Sequence, residues 1–158
     1  MAIDPDRPTP EAQLRSLTDR FDPNHQKFIR SVRAVVRKRL PTANELVYDY
    51  SSSLLIAYSP TDRGIDAVVS IAARPQRVDL YFNDGSQLPD PKKLLLGSGR
   101  QTRFVQVKAA GQLVHPDMEA LIIAALDHAS VPLPSKGKGI LIIKTTKAAA
   151  KKRPRRKP

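Results

Sequence analysis

A chain of 158 residues with 41% hydrophobic content can form one ordinary globular domain, and the absence of cysteine excludes disulfide frameworks, thiolate metal sites and thiol catalysis. The formal charge of +12 suggests an anionic partner, yet its placement matters more than its size. Ten Lys or Arg and no acid lie between Lys136 and Pro158, leaving 17 basic against 15 acidic residues elsewhere.

Residues 1–10 form a flexible start, with acids and prolines where a secretory leader has basic residues and an apolar run, so a cytoplasmic location is expected. The domain is placed at residues 11–131. A short leading helix is read in "PEAQLRSLTDRF", from Leu14, Leu17 and Phe21 at spacings of three and four. Asp22-Pro23 then reads as cap and first residue of a longer helix. Its apolar stripe is Phe28, Ile29, Val32, Val35, Val36 and Leu40, and Pro41 ends it. Lys27, Arg30, Arg33 and Arg37 project from the opposite side. Such a face can meet phosphates, but the reading adopted is a solvated surface.

From Glu45 to Phe82 the period shortens to that of strands: "ELVYDY", "LLIAY", "DAVVSIAA" and "RVDLYF", divided by turn residues. In the last of these Val78, Leu80 and Phe82 alternate with Arg77, Asp79 and Tyr81, so one sheet face is apolar. Arg77 and Tyr81 are candidates for ligand contact on the other face. The stretch "DPKKLLLGSGRQTRF" offers a Gly-Ser-Gly-Arg turn that resembles a phosphate cradle. Asp90 and Pro91, however, start a predicted short helix through Leu96, which puts Gly97 at the negative end of the dipole, where a phosphate gains nothing. The glycines are assigned to turn geometry, with Arg100 and Arg103 kept as anion candidates.

A fifth strand, "RFVQVKA", and a helix starting at Pro116 with buried Met118, Leu121, Ile122, Ala125 and Leu126 complete the body. The expected fold is α+β: an antiparallel sheet of about five strands, covered on one face by N- and C-terminal helices. The other face is left for water or a ligand.

Residues 132–158 read as a Pro/Gly linker, then the apolar run Ile140 to Ile143, then a basic tail. The run near residues 139–144 is read as a sixth strand at a sheet edge, with a partner-docking segment as its alternative. Lys151, Lys152, Arg153, Arg155, Arg156 and Lys157 put six cations in seven residues. With almost nothing apolar to offset ordering, the tail is expected to be disordered and to bind polyanions by counterion release. Nonspecific contact with nucleic acid is the partner expected. A solubilising tail, contact with anionic lipid and a nuclear-import signal are its alternatives.

Catalytic signals are missing from the pattern. His25, His115 and His128 lack zinc-helix spacing, and "YSSSLL" lacks the Gly-x-Ser-x-Gly elbow of a serine nucleophile. A non-enzymatic binding module is therefore expected, with no cofactor.

The order "VYDY", then a meander ending "VDLYFNDGSQLPDPKKLLLGSGRQTRF", then an amphipathic helix resembles the YdhG-like domains of unknown function, over roughly residues 25 to 130. That resemblance implies a small cytoplasmic α+β domain without an established activity. Some relatives are linked to a frataxin-like role in iron delivery, which makes iron the alternative ligand. The carboxylates Asp62, Asp66, Asp79, Asp84, Asp90, Asp117 and Glu119 are scattered among basic neighbours, which suits iron poorly.

Overall fold

The computed structural model describes residues 8–145. Helix α1 (Pro10–Thr18) and helix α2 (Pro23–Arg39) each begin with proline at the first helical position, after Thr9 and Asp22 respectively. Thr9 Oγ1 accepts the Ala12 N–H at 3.1 Å, closing one of the open amides of the first turn.

Four antiparallel strands follow: β1 (Asn44–Asp49), β2 (Leu54–Ser59), β3 (Val69–Arg74) and β4 (Arg77–Phe82). A fifth, β5 (Arg103–Val107), extends the meander beyond β4. Helix α3 (Pro116–His128) returns across the sheet, and β6 (Leu141–Thr145) adds itself to the free side of β1. The order is β5-β4-β3-β2-β1-β6. The expected α+β architecture and its sixth edge strand are present; β6 runs parallel to β1, because the chain crosses the sheet through α3 before rejoining it.

Alternation sorts the strands into two faces. Val47, Ile56, Tyr58, Val69, Ile71, Val78, Leu80, Phe82, Val105 and Val107 point under the helices. They meet Leu14 of α1, Ile29, Val32 and Val36 of α2, and Met118, Leu121, Ile122 and Ala125 of α3. This is the main core. Leu141 and Ile143 pack against it from β6, so the last strand shares the core as well as the ladder.

Gly139 makes that addition feasible. A Cβ there would lie 1.7 Å from the Ala43 carbonyl oxygen, inside any allowed contact. The bare backbone instead lets the Gly139 N–H donate to Pro41 O at 2.9 Å and the Glu45 N–H donate to Ile140 O at 2.9 Å.

The second face is only partly open. The segment from Pro60 to Ala67, with its short 3-10 turn Gly64–Asp66, folds over one end of it. Leu46, Ala57 and Ala67 are buried there, with Tyr48 and Ile142 packed against them. The segment "DAVVSIAA" thus splits: Asp66 and Ala67 belong to this cover, and the strand starts at Val69.

Residues 90–96 do not form the short helix that Asp90-Pro91 predicts. The Asp90 carboxylate accepts the N–H groups of Leu94 and Leu95, at 2.8 and 2.9 Å, and holds an irregular turn. Leu96 then pairs through its backbone with Phe104 in an isolated antiparallel bridge. Six residues are too few for a helix to resist that competition.

Candidate functional site

The Gly97–Arg100 turn connects the Leu96–Phe104 bridge, so it is the loop of a small hairpin-like excursion before β5. Gly97 has φ +109°, a left-handed conformation that a side chain would strain, as the turn reading requires. Arg103 turns back and donates from Nη1 to the Gly99 and Thr102 carbonyls, so its guanidinium braces the loop. Arg100 is exposed, and its carbonyl accepts the Ser86 hydroxyl at 2.9 Å. The two anion candidates therefore differ: Arg103 is committed to loop carbonyls, and Arg100 faces water.

The cationic face of α2 also departs from the solvated reading. Glu45, on the helix side of β1, is completely buried. Arg33 grips it with two bonds, Nε to Oε2 at 2.9 Å and Nη2 to Oε1 at 2.8 Å. Arg37 Nη1 reaches Oε1 at 2.7 Å, and the Tyr58 hydroxyl donates to Oε2 at 2.7 Å. Arg33 also bonds both Glu11 oxygens, and Arg37 Nη2 donates to Gly139 O at 3.1 Å.

Burial would by itself lower the Arg33 pKa, but the hydrogen bonds to Glu45 and Glu11 outweigh it and raise it. Burial, reinforced by the Glu45 charge, pushes the Tyr58 phenol well above its usual range. The network joins α1, α2, β1, β2 and the approach to β6. Two of the four helix-face cations are thus structural ties, which Glu45 conceals in the sequence because it lies on a different element.

The open part of the second sheet face brings other residues together. Asp79 is fully buried at the base of two arginines: Arg74 Nη1 donates to Oδ2 at 2.6 Å and Arg77 Nε to Oδ1 at 2.9 Å. Arg74 Nη2 also donates to the Tyr81 hydroxyl at 3.0 Å. That bond is the largest cause of a raised Arg74 pKa, with burial opposing it and the Asp79 carboxylate adding to it.

The Arg77 guanidinium lies 5.4 Å from the Phe104 ring centroid, and the Tyr81 and Phe104 rings are 5.2 Å apart. Tyr81 and Phe104 are direct partners across β4 and β5. The terminal amino groups of Arg77 have no hydrogen-bond partner among the described residues, and its side chain is 40% exposed.

On the β1 side of the same face Tyr48 and Tyr50 stack with planes 12° apart. Burial raises the Tyr48 pKa above the usual phenol range. Between the two aromatic pairs, register sets Tyr48 opposite Leu55, Leu55 opposite Ala72, and Ala72 opposite Asp79. An apolar floor of Leu55 and Ala72 is therefore flanked by rings and guanidinium groups. Arg77 and Tyr81 lie on the same sheet face, as the alternation in "RVDLYF" suggested, and each meets Phe104. Phe104 and Arg74 escaped sequence reading because each depends on a neighbouring strand.

The histidines have local partners. His25 Nε2 donates to the Arg74 carbonyl at 2.6 Å, His115 Nδ1 accepts the Asp117 N–H at the start of α3, and His128 stands 3.9 Å from Asp84. Among the described residues no group of three or more His, Asp or Glu side chains forms a metal-ion set. Nor is any described helix long and apolar enough to cross a membrane.

An apolar cleft of about 490 Å³ separates α2 from α3, lined by Val35, Val36, Leu40, Val114 and Ile122. A salt bridge from Arg39 to Glu119, at 2.7 Å, joins the two helices there. The six tail cations, Lys151, Lys152, Arg153, Arg155, Arg156 and Lys157, lie outside the described residues. Comparisons with protein-family models, curated proteins and solved structures found no match.

Proposed function

We propose that this chain is a non-enzymatic binding module that contacts nucleic acid without reading its sequence. The carrying observation is the separation of charge: residues 136–158 hold ten cations and no acid, beside a nearly neutral remainder. Binding of cations to a phosphate backbone releases condensed counterions and needs no preformed pocket. The cationic face of α2 is a poor rival for this role, since Arg33 and Arg37 are engaged with Glu45. The YdhG-like resemblance belongs to the same proposal, and a cytoplasmic location goes with it.

Tail substitution tests the reading. In a full-length chain, Lys151, Lys152, Arg153, Arg155, Arg156 and Lys157 are all changed to Gln, and binding to random-sequence DNA and RNA is measured at low salt. The expected result is loss of most of the affinity. Equal binding by the parent and the neutralised chain would reject the tail as its source. A cut made to remove the tail has to follow Thr145, because an earlier one removes β6 from the sheet.

A further inference from the structure

We infer that the open sheet face is a platform on which the bases of a single-stranded nucleic acid stack, with Tyr81, Phe104 and Arg77 as its contact residues and Tyr48 and Tyr50 as its second station. The inference rests on the nucleic-acid reading above and names the surface that reading leaves unspecified.

Three observations converge on it. First, the exposed chemistry suits both parts of a nucleotide. Ring faces and a guanidinium plane accept bases, while the terminal amino groups of Arg77 remain for a phosphate. Asp79 holds both arginines from below, so their orientation is fixed before any ligand arrives, and the cluster of two cations and one carboxylate keeps a net positive charge.

Second, the layout suits one strand. Tyr48 on β1 and Tyr81 on β4 are offset by three strand spacings, about 14 Å, across the sheet and by two residues, about 7 Å, along it, and Phe104 lies one strand further on. The floor between them is Leu55 and Ala72, both apolar and uncharged. A duplex keeps its base faces stacked internally and cannot offer them to a flat sheet, whereas a single strand can.

Third, the chain outside the described residues starts in the right place. Thr145, the last described residue, is paired with Tyr48, so the described chain ends beside the second station. Thirteen residues extend at most about 45 Å, and a six-stranded sheet is about 24 Å wide, so the tail cations can reach phosphates anywhere along a strand lying on this face. The tail is itself cationic and is repelled by Arg74 and Arg77, which argues against its occupying the platform. Stacking on the face and neutralisation by the tail then act on one ligand, and each raises the effective concentration for the other.

The test uses the full-length chain with three probes: a labelled 15-nucleotide oligothymidylate, a duplex of the same length, and inorganic polyphosphate as a polyanion without bases. Phe104→Ala and, to retain apolar bulk, Phe104→Leu are compared with the parent and with the tail-neutralised chain. The expected result is a fivefold to about hundredfold loss of oligothymidylate affinity in both Phe104 variants, with polyphosphate binding unchanged. Oligothymidylate should also shift the backbone amide resonances of Ala72, Asp79, Tyr81, Phe104 and Gln106 in the unsubstituted protein, a readout independent of how the variants fold.

Unchanged oligothymidylate affinity in folded Phe104 variants, or amide shifts confined to other surfaces, would overturn the platform. The two readings fail separately. Polyphosphate binding that survives neutralisation removes the tail reading alone, and Phe104-dependent oligothymidylate binding by the neutralised chain upholds the platform without it. No oligothymidylate binding by any of these chains overturns the platform outright.

Discussion

The two faces of the sheet each bury a carboxylate under two arginines, and they do so with opposite consequences. Glu45, on the helix side, is capped by Arg33 and Arg37, whose side chains are only 20% and 25% exposed, and by the Tyr58 hydroxyl. Asp79, on the other side, is capped by Arg74 and Arg77, which are 44% and 40% exposed. The first arrangement uses its donors inside the fold. The second turns guanidinium groups outward beside two aromatic rings. Burial of an anion is therefore not itself a sign of function here; what differs is whether the cations above it still have donors to give.

Removing either carboxylate separates the two roles. Glu45→Ala leaves Arg33, Arg37 and the Tyr58 hydroxyl without their shared acceptor and should cost about 3 kcal/mol, read as a lowered midpoint in thermal or urea unfolding. A loss near that from an exposed ion pair, below about 1 kcal/mol, would show that the network is not a structural tie.

Gly139→Val tests the attachment of the edge strand. Its side chain would collide with the Ala43 carbonyl, and about 2 kcal/mol of destabilisation is expected. Amide exchange at Leu141 to Thr145 should accelerate more than exchange in β3 or β4. Uniform acceleration would mean that β6 is not separable from the rest of the sheet.

Asp79→Asn sharpens the contrast with Glu45. Solvent already reaches both arginines, so the stability loss should be only about 1 kcal/mol. The added positive charge on the face should tighten oligothymidylate binding at low salt. Weaker binding would mean that Asp79 matters more for orienting Arg77 than for restraining its charge.

The smallest effect concerns pH. The hydrogen bond from Arg33 is the largest cause that lowers the Glu11 pKa in the folded protein, with burial opposing it. A carboxylate depressed on folding contributes stability that is present above its unfolded pKa, about 4.3, and is lost as pH falls through the folded value. Glu11→Gln should flatten that acid limb by well under 1 kcal/mol, because the Glu11 side chain is 63% exposed. Unfolding midpoints between pH 6 and pH 2 check this.

Much of the scaffold was legible from local pattern. Asp22-Pro23 starts α2, Pro116 starts α3, and the alternation of Val78, Leu80 and Phe82 identifies the buried face. The same Asp-Pro signal misleads at Asp90, where the carboxylate caps the Leu94 and Leu95 amides of a turn and Leu96 pairs with Phe104. Local propensity decided the outcome where 17 residues could form turns of α2, and tertiary pairing decided it where only a few could.

The candidate site was half legible for a related reason. Arg77 and Tyr81 sit on one strand and are visible as alternation, but Phe104 meets Tyr81 only through the β4–β5 register. Glu45 gives no hint in the chain that it will claim Arg33 and Arg37.

The salt dependence of oligothymidylate binding, measured for the parent and the tail-neutralised full-length chain, decides whether the tail supplies the phosphate contacts. If the six cations supply the phosphate contacts, the slope of log K against log salt should become shallower by about 4 on neutralisation, since each contact to a single strand contributes about 0.7. Identical slopes for the two chains would contradict it.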